Sequence, residues 1–137
     1  MAKYDASRQD PYVDPATGVL RNRVGAVDQE GLDRGEARLT ALAALRLDLE
    51  PEPGAFDLAH LQRIHRRLFA DVYDWAGALR TVDISKGATR FAHHAVIPDA
   101  AANVFGALAR ERHLQGMAPA QFAERAAYHL GEINVLH

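Results

Sequence analysis

The chain has 137 residues, of which 48% are hydrophobic and 25% charged, and a formal net charge of -2. That length suffices to bury the core of one domain, and the near-balanced charge excludes the global basic field behind sequence-independent nucleic-acid binding. The absence of cysteine excludes a disulfide framework and any thiolate metal site, and no apolar run is long enough to span a bilayer.

Residues 1–27 read as an N-terminal arm. From Tyr4 to Val27 turn formers recur at Asp10-Pro11, Asp14-Pro15 and Thr17-Gly18, so this part is expected to be ordered but irregular. Asp28 is placed to cap a first helix that runs to about Glu50. Leu32, Leu39, Leu42 and Leu49 lie near helical spacing, and Pro51 and Pro53 prevent continuation. A second helix starts after a cap at Asp57. Phe56 and Leu61 are spaced as a hydrophobic staple, and Leu61, Ile64, Leu68 and Val72 form an apolar stripe.

An aromatic turn, Tyr73-Asp74-Trp75-Ala76-Gly77, follows, and the period then changes to two. Val82 and Ile84 alternate with Thr81, Asp83 and Ser85, and Lys86-Gly87-Ala88-Thr89 is a turn signal, which predicts a short β-hairpin within Leu79 to Ala92. A third helix is expected from about Asp99 to His113, with Ala101, Val104, Phe105 and Leu108 inward. A fourth begins near Pro119, with Phe122, Ala126, Leu130 and Ile133 inward. It runs through Gly131-Glu132-Ile133-Asn134-Val135-Leu136-His137 with no Gly or Asn beyond its last turn, so the chain reads as the front part of something longer. The expected fold class is mainly α, a helical bundle carrying one hairpin.

A hairpin in a helical domain has a free edge that another chain can pair with. Ile84 and Lys86 are two apart and point to the same side of the strand, one apolar and one cationic, so they can hold a side chain between them. A hairpin that only covers the core fits the same spacing. The histidines give no metal set: His60 and His65 are five apart, His93 and His94 are adjacent in a loop, and His129 with Glu132 is a single i,i+3 pair. They read as solvated or capping residues.

The string Tyr73-Asp74-Trp75-Ala76-Gly77-Ala78-Leu79-Arg80-Thr81-Val82-Asp83-Ile84-Ser85-Lys86-Gly87, then Phe91, then Glu132-Ile133-Asn134-Val135-Leu136-His137, closely resembles Fic-domain proteins. Val19-Leu20-Arg21-Asn22-Arg23-Val24-Gly25 is similar to the opening segment of many bacterial Fic toxins and effectors. The resemblance implies a Fic-type bundle over residues 28–137, ending at the start of the family signature His-Pro-Phe-x-Asp/Glu-Gly-Asn-Gly-Arg. It also implies transfer of AMP from ATP to a hydroxyl of a target protein.

By resemblance His137 is the general base, a role suited to imidazole near neutral pH. Ile84, Ser85, Lys86 and Gly87 belong to the flap hairpin that lines up the target as an added strand. ATP and Mg2+ are the cofactors expected of a complete family member. The loop that follows the histidine supplies the carboxylate for Mg2+, the backbone N–H groups and the arginine for the phosphates, and none of it lies in these 137 residues. A polypeptide that keeps only the base is therefore expected to be inactive; phosphate transfer on the same scaffold and a non-enzymatic binding remnant are the alternatives.

The family's inhibitory pattern Ser/Thr-x-x-x-Glu-Gly/Asn does not occur between Met1 and His137, so inhibition is expected from a separate antitoxin or from residues after His137. The expected location is cytoplasmic, or a host or neighbouring cell reached through a secretion system.

Overall fold

Four helices, α1 (Gln29–Leu49), α2 (Leu58–Phe69), α3 (Ile97–Arg110) and α4 (Pro119–Leu136), are joined by a hairpin of β1 (Ser85–Lys86) and β2 (Thr89–Arg90) between α2 and α3. The computed structural model describes residues 10–136, and His137 lies outside the described residues. The helices pack in chain order, α1 on α2, α2 on α3 and α3 on α4. The fold is mainly α with one small antiparallel sheet, as the sequence leads one to expect. Among the described residues no helix is long and apolar enough to cross a membrane.

Local signals set the first two helices. Asp28 Oδ1 accepts the Gly31 N–H at 2.7 Å and Asp57 Oδ1 accepts the His60 N–H at 2.9 Å, each satisfying a donor that a helix start leaves open. His60 completes the second cap. Its Nδ1 accepts the Phe56 N–H at 3.2 Å, so its hydrogen is on Nε2, which donates to the Glu52 carbonyl at 2.8 Å. Phe56 meets the His60 and His113 rings and is 56% exposed.

The core joins α1, the end of α2 and the segment before α1. Val19, Leu32, Val72 and Tyr73 form its buried cluster, with Leu39, Phe69 and Trp75 packed against it. Full burial of a side chain such as Leu32 or Val72 is worth about 1.5–3 kcal/mol. On α1 the packed face is Leu32, Leu39, Ala43 and Leu47, whereas Leu42 and Leu49 are exposed, against expectation. At 3.6 residues per turn those two lie roughly 80° and 100° round the helix from Leu32.

Two further expectations are corrected at the other end. α3 starts at Ile97, which is 1% exposed, and ends at Arg110 instead of reaching His113. Arg112, His113 and Leu114 have φ of 55°, 54° and 63°, a left-handed turn that reverses the chain and buries Leu114. On α4 the inward residues are Ala126, His129, Ile133 and Leu136, while Phe122 and Leu130 are exposed. Leu130 is about 100° from His129 on the helix, and Phe122 lies one turn before Arg125, the level at which the end of α3 is met.

That meeting point is ionic. Glu111, which caps α3, accepts hydrogen bonds from Arg125 Nε at 3.2 Å, from Arg125 Nη2 and from His129 Nε2 at 2.9 Å. The Arg125 guanidinium, and after it His129, hold the Glu111 carboxyl at about 2, below its usual 4.5. A carboxyl depressed in the folded state contributes stability above its unfolded value and loses it as pH falls through the folded one. We expect the thermal midpoint of the native chain to fall more steeply than that of Glu111→Gln between about pH 4.5 and pH 2. Melting curves of both proteins across that range check it, and parallel curves would contradict it.

Candidate functional site

The site is built on the segment from Tyr73 to His94. Tyr73 donates its hydroxyl hydrogen to Glu36 Oε2 at 2.5 Å and stacks on Trp75 with ring centres 5.0 Å apart. Tyr12, from the arm, meets Trp75 edge-on at 4.9 Å. Gly77 then locks the turn onto α2: its N–H donates to His65 Nδ1 at 2.9 Å and its carbonyl accepts from Gln62 Nε2 at 3.0 Å. Its φ is +81°, and a Cβ there would stand 2.7 Å from the Gln62 carbonyl oxygen, so only glycine fits.

The fixed turn delivers Arg80 into the interior. Its side chain is only 5% exposed, and its Nη groups donate to the carbonyls of Val82 at 2.8 Å, of Ala92 and of Leu136 at 3.2 Å. Burial pulls its pKa below the usual arginine value, and Asp83, 3.9 Å away, partly opposes that shift. The Leu136 carbonyl belongs to the last turn of α4, where carbonyls have no partner within the helix. A guanidinium there provides both hydrogen bonds and a favourable charge for the helix dipole. A backbone bond runs alongside, from the Ala92 N–H to the Val135 carbonyl at 2.9 Å. The two sides of the hairpin stem and the end of α4 are thus joined around one buried cation.

The hairpin itself is shorter than the alternation suggests. Ser85 pairs with Arg90 and Lys86 with Thr89, and the Phe91 N–H reaches the Ile84 carbonyl at 3.4 Å. Val82 is drawn out of the ladder because its carbonyl faces Arg80, and Asp83 because its carboxylate turns to the other side of the stem. Asp83 Oδ2 lies 2.7 Å from His93 Nδ1. Its Oδ1 lies 2.9 Å from His94 Nδ1 and accepts the His94 backbone N–H at 2.8 Å. These contacts, led by the His94 backbone N–H, hold the Asp83 carboxyl well below the usual carboxylate range. On the arm side, Tyr12 Oη accepts the Thr81 N–H at 2.9 Å.

Of the residues singled out from sequence, Ile84 is half-buried and lines a cavity of about 210 Å3 with Tyr12, Tyr73, Trp75 and Arg80. Ser85 is half-buried, whereas Lys86 and Gly87 are exposed at the tip, where Gly87 has φ of +58°. His137 lies outside the described residues, and the described chain stops one residue before it with Leu136 buried. Arg80, Asp83 and the pairing of Asp83 with His93 and His94 are additions from the structure. An arginine in an alternating segment reads as a solvated residue, and two adjacent histidines show no partner until the hairpin folds Asp83 back on them.

Replacing Arg80 with Met keeps the bulk of the side chain but strands three carbonyls. We expect a loss of about 2–4 kcal/mol in urea unfolding, since hydrogen bonds to charged groups are worth about 1.5–3 kcal/mol and buried acceptors are left unpaired. Arg80→Lys should recover only part of it, as a single ammonium does not fork across three acceptors. A loss below about 0.5 kcal/mol, the scale of an ordinary surface change, would contradict the clamp.

Comparison with known proteins places this arrangement among relatives. Residues 55–137 match the Fic/DOC family. The chain is 44% identical over its whole length to the protein adenylyltransferase VbhT of Bartonella schoenbuchensis, of which it spans 28%. Over 94% of its length it is 41% identical to the Escherichia coli protein named "Probable protein adenylyltransferase Fic", of which it spans 64%. Among solved structures, the BepC protein of Bartonella tribocorum, a VirB-translocated effector with bound AMPPNP, superposes with a TM-score of 0.82 at 25% identity. That alignment covers 92% of this chain and 67% of BepC.

Proposed function

Because the chain belongs to the Fic/DOC family, we propose that its residues serve the transfer of AMP from ATP to a hydroxyl side chain of a target protein. The observation that supports this most is the joint between the hairpin stem and the end of α4, made by Arg80 and by the Ala92 N–H. It holds a strand with a free edge beside the helix end that leads into His137. A target segment paired along the hairpin would then run past that end, the geometry that turns a bimolecular encounter into a positioned reaction.

In this reading residues 28–137 are the Fic part and residues 1–27 an arm tied to it. Ile84, Ser85, Lys86 and Gly87 meet the target, and His137 takes the proton from the attacking hydroxyl. An imidazole with an ordinary pKa near 6.5 is half unprotonated close to neutral pH, which suits a general base.

Nucleotide binding is assigned to none of residues 10–136. Arg80, the buried cation near the end of α4, has its Nη groups committed to carbonyls, and a cation at that place is the wrong charge for Mg2+. ATP and Mg2+ are proposed as cofactors of an assembly that also contains the remainder of the family signature. That BepC carries AMPPNP supports the nucleotide class. A separate antitoxin or residues after His137 are the proposed source of inhibition and delivery by a secretion system the proposed route, the latter supported by BepC being a translocated effector.

The test is label transfer to protein from ATP carrying 32P at either the α or the γ position, with Mg2+. Residues 1–137 alone should give no label above background. A polypeptide in which Pro-Phe-x-Asp/Glu-Gly-Asn-Gly-Arg follows His137 should give α-label only, reduced about 10²–10⁴-fold by His137→Ala. Transfer of γ-label would replace AMP transfer with phosphate transfer. Failure of the longer polypeptide to transfer either label, with target still retained through the hairpin, would favour a binding role.

A further inference from the structure

The hairpin stem brings together three groups that neither the family reading nor AMP transfer uses. Asp83 stands just before β1, and His93 and His94 stand just after β2. One ligand atom from each, a carboxylate oxygen of Asp83 and a ring nitrogen of each histidine, lies within 4.8 Å of the others. Both ring nitrogens face the same carboxylate, His93 Nδ1 at 2.7 Å from Oδ2 and His94 Nδ1 at 2.9 Å from Oδ1. All three side chains are open to solvent, at 57%, 54% and 35% exposure, so an ion and its waters have access.

We propose that Asp83, His93 and His94 form a binding site for a first-row divalent transition-metal ion, which clamps the stem of the hairpin. Two imidazoles and one carboxylate make a donor set that suits Zn2+, Ni2+ or Cu2+ better than Mg2+ or Ca2+, which favour all-oxygen surroundings. The bound form puts the ring hydrogens on Nε2, leaving a lone pair on each Nδ1, so the ion replaces the two hydrogens that Asp83 otherwise faces. The backbone N–H of His94, which already donates to Asp83 Oδ1 at 2.8 Å, keeps the carboxylate oriented in both forms. Arg80 lies 3.9 Å from Asp83, and its Nη groups remain occupied by carbonyls when the carboxylate turns to a metal.

The consequence follows from the position of the ligands. Two-residue strands are marginal on their own, and an ion held from both sides of the stem closes the loop between Asp83 and His93. Binding should therefore slow the opening of the hairpin.

The test uses the tag-free 137-residue chain with Zn2+ as probe, followed by titration calorimetry and by amide exchange of Lys86 and Thr89. We expect one Zn2+ per chain, weakened at least about tenfold in each of His93→Gln, His94→Gln and Asp83→Asn, and unmoved by millimolar Mg2+. Asp83→Asn keeps an acceptor for the His94 N–H, and metal-free melting of each variant confirms that it is folded. Exchange at Lys86 and Thr89 should slow on Zn2+ addition and recover with EDTA. Absence of saturable binding, or equal affinity in folded variants, which would place the ion on the other histidines, overturns the site. Binding that leaves exchange unchanged overturns the clamp.

Discussion

A single buried guanidinium, that of Arg80, sets the position of the hairpin against the end of α4. Arg80 cannot be left in an apolar interior without partners, because an unpaired charge there costs several kcal/mol, and the partners it finds are backbone carbonyls from three places in the chain. Val82 and Ala92 are the two sides of the hairpin stem, and Leu136 is the end of α4. Satisfying the charge therefore fixes the hairpin relative to the helix end. The buried cluster of Val19, Leu32, Val72 and Tyr73 is built without hairpin residues.

The tether divides the hairpin into a held stem and a free tip. The stem has Arg80, the Ala92 to Val135 backbone bond, the Asp83 contacts with both histidines and the Tyr12 hydroxyl on Thr81. The tip, at Lys86 and Gly87, is exposed. A strand held at its root and open at its edge is suited to accept a further strand in a defined register, because the stem bears the ordering cost before a partner arrives. This is how the packing of the interior connects to the proposed encounter with a target protein.

The two halves of the fold differ in how readily they are read from sequence. Caps and stops act over a few residues, so Asp28, Asp57 and Pro51 disclose where α1 and α2 begin and where α1 ends. The inner faces were harder. Leu42, Leu49 and Leu130 are apolar but lie about 80–100° round their helices from the buried residues Leu32 and His129, an offset that a list of apolar positions near helical spacing does not disclose. His129 is buried instead, at 3% exposure, because Glu111 offers it a partner from 18 residues away. The ladder starts later than the alternation from Thr81 suggests for a similar reason: Val82 and Asp83 alternate correctly but are claimed by Arg80 and the histidines. Arg80 itself was invisible as a structural residue, since its partners at Ala92 and Leu136 are 12 and 56 positions away. His137 is singled out by family resemblance alone, since periodicity does not distinguish it from any other histidine.

The most direct test of this account is amide exchange at Ala92 in the native chain and in Arg80→Met. If the stem and the end of α4 form one unit around the guanidinium, the Ala92 amide is protected in the native chain. In the variant its exchange, and that of the last turn of α4, should accelerate together by about tenfold or more, corresponding to about 1.4 kcal/mol of local stability. A native Ala92 amide that exchanges as fast as an open loop, or a variant in which the two regions respond independently, would contradict the claim that one buried charge holds the hairpin to the helix.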